Sequence, residues 1–289
     1  MKTAIVILNY NSGEATANLV KVLTRNLSVD EEVIVVDNSS SDNSIQLLIA
    51  QGRYSSFKLI RSETNGGYAA GNNIGLKQAI ADGCEFAVIM NSDISISDDT
   101  VSRLVSHLES HHSCAVVSPV LETAGAEDTY GRLNYLGKIH SWKSVFPDDL
   151  KHPFKVDSIV GACFALRLSV VADVGFIPEP YFLNFEETEW CIRMGRAGYS
   201  VECLPYLRVR HQNHGSTGNV SGLQKYFMRR NLVLFNRRLG SKSQIVGLVV
   251  KLIPFAMLQC LKNGSWMPAK SYVDGWTGRN RFLEGRSVS

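Results

Sequence analysis

The chain has 289 residues, of which 45% are hydrophobic and 20% charged, with 23 Gly and 8 Pro, a mix that excludes a disordered chain, a collagen-like repeat and a long coiled coil. The net charge of +3 is unevenly spread: residues 1–207 carry 16 Lys/Arg against 25 Asp/Glu, and residues 208–289 carry 14 against 2. A basic tail on an acidic body points to an anionic surface partner, while six Cys without CxxC or zinc spacing exclude a disulfide scaffold and read as reduced, buried thiols.

The start runs into Ala4–Asn11 with no cleavage site after it, so no signal peptide is expected. Thr3–Leu8 is a β-branched apolar run suited to a buried strand. Ser12 is placed to cap a helix carrying Ala15, Leu19, Val22 and Leu23. Val33–Val36 predicts a second strand, Ser44–Gln51 a helix, Phe57–Arg61 a third strand, Tyr68–Ala81 a helix after a Gly-rich turn, and Phe86–Met90 a fourth strand. Strands alternating with helices predict a mostly parallel sheet covered on both faces, with the ligand crevice beyond the carboxyl ends of the strands. Those ends are polar: Asn9-Tyr10-Asn11, Asp37-Asn38 and Asn91-Ser92-Asp93.

Residues 120–160 show no regular pattern. Ser158–Arg167 reads as a strand, Thr188–Ala197 as a helix behind the acidic run Glu186-Glu187, and Val201–Val209 as another strand. Tyr226–Leu239 is a basic helix. Gln244–Leu261 is an apolar helix broken by Lys251, Pro254 and Gln259, and no uninterrupted apolar run reaches the ~18 residues of a membrane span.

The segments AIVILNYN, VIVVDNSSSDNS, NGGYAAGNNIG, VIMNSD, GACFALR, FEETEWCIRMGRAGY and RHQNHGSTG occur in that order. Together they resemble the family 2 glycosyltransferases, in particular their bacterial rhamnosyltransferase-like branch, over about residues 3–240; SYVDGWTGRNRF extends the likeness more weakly. The resemblance implies a GT-A (Rossmann-like) α/β fold over 1–240, with a nucleotide-sugar-binding half (1–120) and an acceptor half (121–240), and leaves 241–289 as a helical, basic extension. It implies inverting transfer of a sugar, with rhamnose from a dTDP donor the favoured case, to a hydroxyl of a lipid-linked or growing surface glycan. A divalent metal, Mg²⁺ or Mn²⁺, would sit on the donor diphosphate.

On that likeness Asp93 is the metal ligand, although the family's first carboxylate is replaced by Asn91; Mg²⁺ can be held by one or two carboxylates with water and phosphates. His211 is the second metal candidate, with His214 its competitor, and an imidazole suits Mn²⁺ better than Mg²⁺. Asp37 would accept hydrogen bonds from the base or ribose, with Asn9 and Tyr10 in the same pocket. Asn65 and Gly67 form the donor turn before a helix N-terminus that favours an anion, Asn72 follows one turn on, and Ser92 lies beside Asp93. Arg230, within Arg229-Arg230-Asn231, would grip a phosphate. Glu187 stands where the family's general base is usually an Asp; the extra methylene changes its reach by ~1.5 Å. Trp190 is expected in the core, and His107, His111, His112, His140 and His152 show no ligand spacing.

The likeness places the chain in the cytoplasm. The apolar helix with Arg237, Arg238 and Lys242 before it would rest on the inner face of the plasma membrane or be an ordinary buried or dimer contact. The competing readings are a UDP-hexose donor, a nucleotide-sugar-binding protein that lost catalysis, and, last, a nucleic-acid binder; no nucleic-acid motif is present, so no such partner is expected.

Overall fold

The computed structural model describes residues 1–53, 56–123, 126–128, 130–132, 141–143, 151–211 and 222–284. In chain order the elements are β1 (Thr3–Asn9), α1 (Gly13–Leu23), β2 (Glu31–Asp37), α2 (Ser44–Gln51), β3 (Lys58–Arg61), α3 (Gly67–Ala81), β4 (Phe86–Asn91), β5 (Ile94–Ser95), α4 (Thr100–Ser110), β6 (Cys114–Thr123), β7 (Ala126–Asp128), β8 (Tyr130–Arg132), β9 (Ser141–Lys143), β10 (Phe154–Lys155), β11 (Cys163–Arg167), α5 (Val170–Val174), α6 (Glu186–Arg196), β12 (Ser200–His211), α7 (Leu223–Leu239), α8 (Lys242–Asn263), α9 (Met267–Thr277) and α10 (Arg281–Glu284). A single 3₁₀ turn, Glu179–Tyr181, precedes α6.

The main sheet runs β10-β12-β6-β11-β4-β1-β2-β3, with β5 beside β12 and β7 beside β6; β8 and β9 pair separately. Its first half, β3-β2-β1-β4, is parallel, as the alternation of strands and helices predicts. The second half is mixed: β6 and β12 are parallel, but β11 runs antiparallel between β4 and β6.

The strands are apolar on both faces because both faces are covered. Odd positions such as Ile5, Ile7, Val33 and Val35 pack against Leu19 and Val20 of α1 and Leu104 of α4. Even positions such as Ala4, Val6, Ile34 and Val36 pack against Ala69 and Leu76 of α3 and Met194 of α6. Helix α3 lies close to β1 because Gly71 has no side chain; a Cβ there would stand 2.3 Å from a methyl of Leu8. Trp190 is in this core, its indole N–H donating to the Gly175 carbonyl at 2.8 Å. All six cysteines are buried free thiols. Ser12 precedes α1 without capping it, since its hydroxyl donates back to the Tyr10 carbonyl.

The C-terminal helices pack on the body through α7. Tyr226 and Arg281 both bond the buried carboxylate of Asp274 on α9, and Gly275 lies against the Arg230 backbone. Helix α8 buries one stripe, Leu248, Ala256 and Cys260. Contrary to the expectation from the broken apolar run, α8 has the length and composition of a candidate membrane span.

Candidate active site

The parallel register sets Asn9, at the end of β1, beside Asp37, at the end of β2. Asn9 is fully buried, and both ends of its amide are used. Nδ2 donates to Asp37 Oδ1 at 2.7 Å and Ser40 Oγ at 3.0 Å, while Oδ1 accepts from the Thr16 hydroxyl at 2.7 Å. Asn9, expected to line the nucleotide pocket, instead bonds and orients Asp37 and is itself fully buried. Asp37 takes a second bond from the Ser40 N–H at 3.1 Å. A carboxylate has about four acceptor positions, so Asp37 retains capacity for a ribose or base donor. Tyr10 is half-buried at the same strand end.

The Asn65–Tyr68 turn is differently built from the expected anion cradle. Asn65 Oδ1 accepts from Gly67 N–H at 3.0 Å and from Asn38 Nδ2 at 2.9 Å, and Tyr68 N–H donates to the Phe182 carbonyl at 2.9 Å. The first two N–H groups of α3 are therefore taken by the protein. Gly67 has φ +85°, and a Cβ there would lie 2.3 Å from Phe182 O. The turn clamps the donor half to the 182–185 loop. Asn72 is buried, donating to the Tyr68 carbonyl at 3.0 Å, with its Oδ1 unpartnered among the described residues; the adjacent Asn73 holds Ile177 and Glu179.

That loop is strained. Phe182, Asn184 and Phe185 have φ of 69°, 67° and 81°, each costing on the order of 1–3 kcal/mol. It is held from α7: Asn231 Nδ2 donates to the carbonyls of Tyr181, Leu183 and Asn184 at 3.1, 2.7 and 3.0 Å. Arg230, expected on a phosphate, is 3% exposed and spends its guanidinium on the carbonyls of Pro180, Gly278 and Arg279 and on Asn231. The Arg-Asn pair is a brace, which is the correction for Arg230: desolvating an arginine requires partners, and here they are backbone oxygens.

The loop delivers Glu186 and Glu187 to the start of α6. Glu186 is 2% exposed. Both carboxyls leave Oε2 without a partner among the described residues. Burial, then the neighbouring Glu187 charge, raises Glu186 well above the carboxylate range. Burial also pushes Glu187 up to about 7, against the backbone N–H groups of Glu187 and Gly161, which favour its charged form. Tyr68 fixes Gly161 by donating its hydroxyl to that carbonyl, and its own burial keeps it protonated. Next to Gly161, the Ala162 carbonyl accepts from Asn91 N–H at 2.8 Å. Two residues beyond Asn91 is Asp93. A short series of backbone bonds thus ties Glu187 to the end of β4.

Asp93 is 7% exposed, and the antiparallel pairing of β5 with β12 brings His211 beside it. His211 Nε2 lies 3.3 Å from Asp93 Oδ1, and Asp93 Oδ2 is buried with no partner among the described residues. Ser92 and Asp93 line a cleft of ≈ 210 Å³ against Ala15 and Leu19 of α1. An orphaned buried carboxylate oxygen beside an imidazole is a donor set that fits a divalent cation. His214 and His140 lie outside the described residues.

Sequence reasoning missed Gly161, Tyr68, Asn231 and Ser40. Their strings stand out in the sequence, but their roles depend on partners far along the chain. Glu189, readable as a helix-start charge, is 1% exposed and bound by Arg238 at 2.7 and 2.9 Å, by Arg193 and by the Tyr181 hydroxyl.

Residues 4–175 match the profile of glycosyl transferase family 2. The chain belongs to that family. This family 2 transferase is 28% identical over 281 residues to the low-salt glycan biosynthesis hexosyltransferase Agl10 of Haloferax volcanii, covering 91% of this chain and 82% of the relative. It is 22% identical to the dTDP-rhamnosyl transferase RfbF of Shigella flexneri (81% and 79% covered). It is 21% identical to the N-acetylglucosaminyl-diphospho-decaprenol L-rhamnosyltransferase of Mycobacterium tuberculosis (74% and 77%). Among solved structures, the mannosyltransferase PcManGT of Pyrobaculum calidifontis, in complex with GDP-Man and Mn²⁺, superposes with a TM-score of 0.62 at 14% identity over 96% of this chain and 88% of that one. The transferase therefore has the GT-A fold and is a glycosyltransferase.

Proposed function

We propose that the transferase moves L-rhamnose, with inversion, from dTDP-rhamnose to a hydroxyl of a lipid-linked or growing surface glycan at the cytoplasmic face of the membrane. The observation that carries this reading is Glu187, a carboxyl raised to about 7 and tied through Gly161 to the strand end that bears Asp93. A general base works best when its pKa lies near the working pH. Glu187 takes the acceptor proton as that oxygen bonds to the anomeric carbon and the bond from that carbon to the diphosphate breaks. One base suffices because the nucleotide diphosphate leaves without a protonating acid, unlike the alcohol released in glycoside hydrolysis. Asp93 and His211 would hold Mg²⁺ or Mn²⁺, whose charge offsets that developing on the departing diphosphate. Asp37, set by Asn9 and Ser40, would receive the ribose or base.

The donor and acceptor are inferred from the dTDP-rhamnosyl and decaprenol-linked rhamnosyl relatives. The hexosyltransferase relative favours a second reading, a nucleotide-activated hexose such as a UDP-sugar. A melting-temperature panel of dTDP-rhamnose, UDP-hexoses and GDP-mannose with Mg²⁺, Mn²⁺ or chelator separates them, since a ligand specific to the folded state raises the melting point. A metal-dependent shift with dTDP-rhamnose is expected, lost in Asp93→Asn. A shift confined to UDP-sugars moves the assignment to the second reading. Binding with no transfer to any acceptor marks a chain that has lost catalysis.

A further inference from the structure

Helix α8 packs one stripe inward and turns an apolar stripe outward. Val246, Val250, Ile253, Met257 and Leu261 recur at three- and four-residue spacing on one side. They are 63%, 66%, 59%, 58% and 80% exposed, and Trp266, just past the helix end, is 68% exposed. An apolar face of this length on a water-facing helix marks an interaction site.

Its surroundings select the partner. The region 208–289 carries only two acidic residues, and both are already paired: Asp274 is buried against Arg281, and Glu284 is held by Arg279. Lys242 and Lys262 stand exposed near the two ends of α8, and Lys270 stands exposed on α9. A second copy would oppose this cationic surface to itself, since a two-fold contact brings the same patch together. A spanning arrangement is also disfavoured. Leu248, Ala256 and Cys260 are committed to protein, so the helix has no free circumference to give to lipid on all sides. An apolar stripe on a helix with lysines near both ends fits the interface of a bilayer containing anionic phospholipid, apolar side chains among the acyl chains and ammonium groups at the headgroups.

We propose that α8 is an in-plane anchor that docks the enzyme on an anionic bilayer through this stripe and Trp266. The proposal deepens the reading of a membrane-borne acceptor, and because docking needs neither donor nor acceptor, it fails or succeeds apart from catalysis.

The test is flotation of the full chain with phosphatidylcholine vesicles, with and without phosphatidylglycerol, alongside the double variant Val250→Asp/Met257→Asp. Both positions are exposed, so the variant is expected to keep the wild-type far-ultraviolet circular dichroism and melting point. Trp266→Phe identifies the indole whose emission shifts to the blue on binding. Wild type is expected to float with the anionic vesicles, less strongly at 1 M salt where the Debye length is about 3 Å, and the double variant to lose at least about tenfold in partitioning. No flotation of wild type overturns the proposal. So does flotation that the double variant retains, which would assign binding to basic charge alone. Dimerisation of wild type abolished in the double variant, without vesicle binding, would give the stripe to a second copy and overturn it equally.

Discussion

Two adjacent glutamates are both raised by burial, and both receive backbone N–H groups. Glu186 is raised further because it also feels the charge of Glu187. Replacing Glu187 with Gln is expected to lower kcat by about 10²–10⁴, the range for losing a general base, while the donor-induced melting shift survives. In wild type the base is active when deprotonated, so kcat should rise with pH through about 7; a flat profile from pH 5.5 to 8.5 would remove Glu187 from the role. Glu186 makes a prediction about stability. Its raised pKa means that the folded state holds a proton that the unfolded state releases above its ordinary 4.5. Its burial therefore costs progressively more stability as pH rises above that value. Glu186→Gln should raise the melting temperature at pH 8 more than at pH 5.

At the scale of elements, the site is an assembly of ends. The 182–185 loop keeps three residues in left-handed conformations because α7 holds its carbonyls and α3 abuts it at Gly67. Asn231→Ala should cost on the order of 1–3 kcal/mol, the range for leaving buried partners unsatisfied. It should lower kcat more than donor affinity, because it releases the base and leaves the strand ends of the donor half in place. Melting curves and steady-state kinetics on the one variant check both. The strands and helices of this half were legible in the sequence, because a sheet covered on both faces writes continuous apolar runs that stop at polar ends. Asp37 and Asp93 stand at the polar ends where such runs stop, and Glu187 stands in the acidic run before α6, which is why the sequence singles them out. In the sequence Asn9 and Arg230 read as ligand contacts because a polar side chain near a site reads the same whether it faces substrate or the protein. Asp37 lies 28 residues from Asn9 and Pro180 lies 50 from Arg230, separations at which local pattern carries no information. The antiparallel β11 escaped the reading because a short apolar run has no direction.

For the whole molecule, side-chain contacts cross the boundary expected after residue 240. Arg230 takes the Pro180 carbonyl, just ahead of the 182–185 loop, at one end and the Gly278 and Arg279 carbonyls at the other. A chain cut after Gly240 leaves that guanidinium and Tyr226 without their C-terminal partners. It is expected to melt well below the full chain or to aggregate, and co-expression with residues 241–289 is the natural rescue to attempt. A truncated chain that melts with the full one would show that α8 and α9 serve only as an attachment.

The brace also sets an order of manufacture. Asp37 and Asp93 emerge from the ribosome early, whereas Asn231 follows Asp93 by well over a hundred codons, about ten seconds at common elongation rates. Gly278 and Arg279, which steady the arginine beside it, come later still. A nascent chain can thus complete its donor-facing strands before the loop that carries the base has anything to hold it. If docking follows the same schedule, the helix that meets the lipid is translated before the last of the clamps, and the newborn enzyme reaches its membrane before it is competent to react.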